Sequence, residues 1–87
     1  MVRLYEITVS RSAEKELARL GSVWIEKISK VIEGLENNPR PHGCKKLRGS
    51  KDLWRVRVAD YRIIYAINDD IRIVAVERIA HRKEVYD

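Results

Sequence analysis

The chain contains one cysteine, Cys44, and two histidines, His42 and His81. A single thiol excludes an internal disulfide framework. A zinc site built from so few soft ligands would have to recruit carboxylates, and no spacing along the chain suggests one; neither a metal nor any other cofactor is expected. A long apolar run is also lacking. The N-terminal MVRLYEITVS alternates instead, which reads as neither a signal peptide nor a membrane span. The expected setting is therefore the cytoplasm, with no membrane partner. Repeats, linkers and low-complexity segments are absent too.

Eighty-seven residues make a single domain, 1–87, with 45% hydrophobic content, enough for a core, and 36% charged residues for the surface. The net charge of +5 favours an acidic partner such as nucleic acid.

The stretch LWRVRVADYRIIY, Leu53 to Tyr65, alternates apolar and basic residues on either side of Ala59-Asp60. Strict alternation marks a half-buried strand, and two such runs around a short polar break predict a hairpin. An even-membered loop pairs Val58 with Tyr61, Arg57 with Arg62 and Val56 with Ile63. Trp54, Val56, Val58, Tyr61, Ile63 and Tyr65 then share one face, and Arg55, Arg57 and Arg62 the other. Like charges facing each other on a sheet repel, so the arginine face is expected to meet an anion.

Val2 to Val9 reads as a first strand. Ser10 is placed to cap a helix through Ala13, Leu17 and Leu20, and Ser22 to cap the next. Trp24, Ile28, Val31, Ile32 and Leu35 form the apolar stripe of that second helix. Asn37-Asn38-Pro39 stops it, and Arg40 to Gly43 is a loop. Cys44 to Arg48 suits a short edge strand. After the hairpin, Asn68 to Asp70 is a turn and Ile71 to Ile79 an interior strand, whose register stays open between two turn lengths. The order β-α-α-β-β-β-β predicts an α+β domain: two N-terminal amphipathic helices packed on one face of a mainly antiparallel sheet.

The closing AHRKEVYD, Ala80 to Asp87, follows the last strand and brings His81, Arg82 and Tyr86 towards the arginine face if it folds back. Arginines with a tyrosine, and no carboxylate cluster, suit phosphodiester chemistry: guanidinium groups grip phosphate oxygens in pairs and offset charge in the transition state. RNA supplies its own nucleophile, the 2′-hydroxyl. A tyrosine can stack on a base. Lys45, Lys46, Arg48 and Lys51 read as an electrostatic footprint for RNA.

The chain resembles the RelE branch of the RelE/ParE superfamily of toxin–antitoxin toxins along nearly its whole length. The resemblance is carried by Ser10-Arg11-Ser12-Ala13, Leu35 to Pro39, Lys45-Lys46-Leu47-Arg48-Gly49, Trp54-Arg55-Val56-Arg57, Asp60-Tyr61-Arg62, Tyr65 and His81-Arg82-Lys83-Glu84-Val85-Tyr86. It implies a metal-independent endoribonuclease that cuts mRNA in the ribosomal A site, contacts ribosomal RNA, and is neutralised by a cognate antitoxin in a hetero-oligomer. It also carries family positions onto Arg55, Arg57, Arg62, Arg82 and Tyr86, with Arg62 on the scissile phosphate, Arg82 at the leaving oxygen and Tyr86 at a base. Arg55 and Arg57 stand where well-studied members have lysine. Arginine stays charged and cannot accept the proton, which leaves Tyr86, ahead of His81, for that role. Two alternatives remain open on sequence: a ParE-like gyrase poison, and a weakened member that only binds antitoxin and DNA.

Overall fold

The computed structural model describes residues 4–81. Its elements run β1 (Glu6–Val9), α1 (Arg11–Ala18), α2 (Ser22–Gly34), β2 (Lys45–Lys46), β3 (Leu53–Val58), β4 (Tyr61–Asn68) and β5 (Ile73–His81). The sheet has five strands in the order β1-β5-β4-β3-β2. Every pairing is antiparallel except β1 with β5, which is parallel. The predicted order and α+β class are those observed. Among the described residues no helix is long and apolar enough to cross a membrane.

Alternation determined the β3–β4 hairpin. Val58 pairs with Tyr61, Arg57 with Arg62 and Val56 with Ile63, as the two-residue loop requires. Ala59 takes φ +54° in that loop, a left-handed conformation that costs an L-residue with a Cβ about 1–2 kcal/mol. The helix-facing side of the hairpin, with Val74, Val76 and Ile79 of β5, meets Ala13 of α1, Ile28 and Ile32 of α2 and its C-cap residue Leu35 in one core. The two helices thus lie on one face because their stripes and the hairpin's alternate residues are complementary apolar surfaces.

Local boundaries differ from expectation in instructive ways. Ser10 does cap α1: its Oγ accepts from the Ala13 N–H at 3.0 Å. Ser22 does not cap α2; the cap position is Gly21, with no side-chain bond, and Ser22 is the first helical residue. β1 starts at Glu6, since Leu4 and Tyr5 donate their N–H groups to the Glu36 carbonyl rather than to the sheet; the Val2–Arg3 part of the expected strand lies outside the described residues. β5 begins at Ile73, not Ile71, because Arg72 adopts φ +57° and prolongs the turn. Asn68 then pairs with Ile73, which fixes the register. Further along, Tyr65 pairs with Val76 but Ile64 with Arg78, so Glu77 is an extra residue in a β-bulge.

Two polar networks hold the loops to this frame. Tyr65 is fully buried, and its hydroxyl donates to the Pro39 carbonyl at 2.7 Å. Burial, then the neighbouring Cys44 thiol, pushes the phenol above its ordinary range. Arg40 grips Asp69 with two bonds, Nη1 to Oδ1 at 3.2 Å and Nη2 to Oδ2 at 2.9 Å, and the Tyr5 hydroxyl donates to Oδ1 at 2.6 Å. The Arg40 guanidinium also lies 4.9 Å from the Trp54 ring centre. First Arg40 and then Tyr5 hold the Asp69 carboxyl down at about 2.

Candidate phosphate-binding site

Arg55, Arg57 and Arg62 are neighbours in a ladder. Arg57 lies opposite Arg62, while Arg55 lies between Lys45 on β2 and Ile64 on β4. Residues paired across strands project to the same side, so these three arginines and Lys45 share the face turned away from the helices. The alternating sequence places them together in this way.

An open face of three equivalent cations is not what results. Arg55 keeps 3% of its surface and Arg62 9%, whereas Arg57 is exposed. The loop before β2 covers Arg55, whose Nη1 donates to the Gly43 carbonyl at 3.4 Å. Gly43 holds φ +88°, a conformation that glycine adopts without penalty. All three arginines make contacts inside the protein, as a guanidinium removed from water must. The correction is one of depth: Arg57 projects, and Arg55 and Arg62 are set back and held. A held charge in a partly dehydrated setting acts more strongly on an anion than a waving one, and needs no reorganisation when charge develops.

The basic footprint joins this row. Lys45, Lys46 and Arg48 line a groove of about 260 Å³ together with Leu47, Arg55 and Arg57. Lys51 is exposed on the following turn and is not one of the groove's lining residues. The pairing of Lys45 with Arg55 ties footprint to ladder, a link the sequence does not display because β2 is too short to show alternation.

His81 is not brought to the arginines. The register pairs it with Tyr61, and pairs Ala80 with Arg62, so the imidazole projects to the helix-covered side, where it meets the Tyr61 ring edge-on at 5.5 Å. Arg82 and Tyr86 lie outside the described residues. Two side chains that sequence reasoning passed over organise the end of β5. Glu16 of α1 takes both Nε and Nη2 of Arg78 on its Oε2, at 3.1 and 2.7 Å, and accepts the Ile79 N–H on Oε1 at 2.9 Å. This carboxylate completes the strand edge where β1 has ended; its only sequence signal was a carboxylate beside an apolar stripe. Among the described residues no three of His, Cys, Asp and Glu gather as metal ligands would.

Fold and ladder together define a small basic α+β domain with a guanidinium row on the side of its sheet turned away from the helices. Residues 7–86 match the ParE toxin family of type II toxin–antitoxin systems, parDE, and the chain belongs to that family. Its similarities lie with RelE proteins. It is 29% identical over 86 residues to toxin RelE3 of Methanocaldococcus jannaschii, covering 94% of this chain and 96% of that one. It is 30% identical over 83 residues to toxin RelE of Mycobacterium tuberculosis, covering 94% and 86%. Among solved structures, the RelE–RelB complex of Pyrococcus horikoshii superposes with a TM-score of 0.83 at 25% identity, covering 94% of this chain and 99% of that one. The intact Escherichia coli RelBE toxin–antitoxin complex gives 0.77 at 28%, covering 88% and 95%.

Proposed function

We propose that this toxin is a ribosome-dependent endoribonuclease that cleaves mRNA in the A site and so stops translation. The observation that carries the reading is the Arg57–Arg62 pair, backed by Arg55 and Lys45 on one sheet face. Two cations held opposite each other at a cost in repulsion suit a ligand that brings negative charge there, and a phosphodiester in its pentacovalent transition state does so.

In the proposed reaction the 2′-oxygen bonds to the adjacent phosphorus while the bond from phosphorus to the 5′-oxygen breaks. The products are a 2′,3′-cyclic phosphate and a 5′-hydroxyl, so no water is consumed. Arg62 and Arg57 stabilise the equatorial oxygens, and Arg55 adds fixed charge from behind. Arg82 assists the departing 5′-oxygen. The proton of the 2′-hydroxyl goes to Tyr86, acting as phenolate, and the departing 5′-oxygen takes its proton from solvent; His81, on the other side of the sheet, is not assigned a part. Lys45, Lys46, Arg48 and Lys51 hold ribosomal RNA. The relatives solved as RelE–RelB complexes support a cognate antitoxin as partner in a hetero-oligomer, and the RelE names of the similar proteins weigh against the gyrase-poison alternative.

The test is controlled expression followed by mapping of mRNA 5′ ends, with DNA double-strand breaks measured in the same cultures. Codon-phased cuts without breaks are expected; breaks without cuts would overturn the reading. On programmed ribosomes, Arg62→Lys keeps a charge but loses the two-pronged grip and should lower single-turnover cleavage about 100-fold. Tyr86→Phe cleaving at the parent rate would remove the assigned proton acceptor.

A further inference from the structure

The sheet end that carries Arg57 and Arg62 has a second side, built differently. Val58, Tyr61 and His81 form the next row, one residue beyond Arg57, Arg62 and Ala80, and project to the helix-covered face. There the Tyr61 ring meets Trp24 of α2 at 5.3 Å with a 54° tilt, and His81 edge-on at 5.5 Å. Lys27 Nζ stands 5.1 Å from the Trp24 ring centre. The three rings stay half-exposed, whereas Tyr65 on the same face is sealed in the core. Beside them opens a groove of about 370 Å³, lined by Glu16, Arg19, Leu20, Tyr61, Ile79 and His81.

The charged groups of this groove are Glu16 and Arg19, with Lys27 over the neighbouring Trp24 ring and Asp60 exposed at the hairpin tip. Glu16 is occupied by Arg78, and Glu26 by Lys30 at 3.4 Å. Arg19 at the rim and Lys27 over Trp24 are exposed. Pinning α2 to the hairpin would explain the Trp24–Tyr61 contact, but not an open groove with an apolar floor of Leu20 and Ile79 and a cationic rim. Aromatic faces beside cations are how proteins hold unpaired bases without Watson–Crick readout.

Geometry links this groove to the arginine row. Successive residues of a strand point to opposite faces only about 3.3 Å apart along its axis. An RNA strand with one phosphate on Arg57 and Arg62 would cross the sheet edge at the Ala59–Asp60 tip in extended form to bring a neighbouring base to the rings.

We propose that the groove walled by Tyr61 and His81, with Trp24 in contact with the Tyr61 ring, is a subsite for an unpaired RNA base near the phosphate held by Arg57 and Arg62, with Arg19 at that nucleotide's own phosphate. The proposal rests on the RNA-directed reading of the arginine row. It makes the enzyme sensitive to the nucleotide flanking the cut, through stacking.

The test uses binding, which does not require cleavage. Trp54→Phe leaves Trp24 as the sole tryptophan of the two. This protein is titrated with a six-nucleotide RNA methylated at every 2′-oxygen, following Trp24 emission. Saturable quenching is expected, lost when an abasic nucleotide occupies one particular position of the six. Tyr61→Leu should weaken binding about tenfold, as removal of one stacked base does. Arg19→Glu, an exposed change that leaves the core intact, should weaken it as well. Quenching that is absent, or a Kd unmoved by both substitutions and by the abasic scan, overturns the subsite. Cleavage on programmed ribosomes separates the two readings: cutting without Trp24 quenching removes the subsite and leaves the nuclease, and quenching without cutting does the reverse.

Discussion

Tyr65 shows how one side chain can belong to the core and to a loop at once. Its ring is fully buried between sheet and helices while its hydroxyl satisfies the Pro39 carbonyl. Tyr65→Phe keeps the ring and strands that carbonyl. A buried acceptor left without its donor costs about 1–3 kcal/mol, so the urea unfolding midpoint should fall accordingly, with the slope unchanged. No change in midpoint would mean that water replaces the phenol at Pro39. Arg55 and Arg62 make the complementary point. Alternation alone shows that they share a face with Arg57, because side-chain direction along a strand is a local property. That Arg55 is covered depends on Gly43, twelve residues away in sequence, and no local pattern carries such information.

At the scale of elements, the helices and the hairpin were legible and the joints between them were not. The stripe from Trp24 to Leu35 repeats often enough to specify α2, and a two-residue loop leaves the hairpin a single register. β5 was ambiguous because its register depends on a turn extended by Arg72 in a left-handed conformation that no glycine announces. The facing of His81 was likewise hidden: the sequence set it beside Arg82 in a polar tail, whereas pairing with Tyr61 turns it to the other side. The joint between the helix 2 loop and the β4–β5 turn is the Arg40–Asp69–Tyr5 cluster, and it gives a signature in acid. The Asp69 carboxyl sits at about 2 in the folded chain, below the roughly 3.9 of an unfolded one. Its contribution to stability is therefore complete above about pH 4 and is lost as pH falls towards 2. Urea midpoints of the parent and Asp69→Asn should differ most above pH 4 and converge below pH 3. A gap that stays constant down to pH 2 would show that the carboxylate's ionisation does not matter.

The whole molecule is polarised. Lys45, Lys46, Arg48, Arg55 and Arg57 surround one groove, while Asp52, Asp69 and Asp70 line a separate depression with Ile71 and Ile73. A net charge of +5 distributed in this way orients the protein towards a polyanion as well as attracting it. The proposed ribosome contact should therefore weaken with salt, and Lys45→Ala with Lys46→Ala should reduce the slope of log Kd against log salt by about 1.5–2, close to one for each phosphate no longer neutralised. Cleavage at saturating toxin should fall far less than in Arg62→Lys, because Lys46 only holds RNA and Lys45 stands at the edge of the arginine row, beside Arg55. An unchanged slope would take them out of the footprint.

The bulge at Glu77 carries a consequence for how this chain tolerates change. By absorbing one surplus residue the bulge keeps the phase of all that follows in β5: Ile79 lies in the core opposite Ile63, and Ala80 lies opposite Arg62. Removing Glu77 would let β5 run as a regular strand, with Arg78 directly after Val76 and Ile79 still facing the core, whereas a second surplus residue would reverse the parity beyond it. In a scan of single-residue substitutions, deletions and insertions, replacement or removal of the exposed Glu77 should be tolerated, and an added residue between Arg78 and Ile79 should cost the fold. If that insertion proved harmless, the strand would be free to slip. The strand is thus forgiving of a residue lost at this point and unforgiving of one gained beyond it.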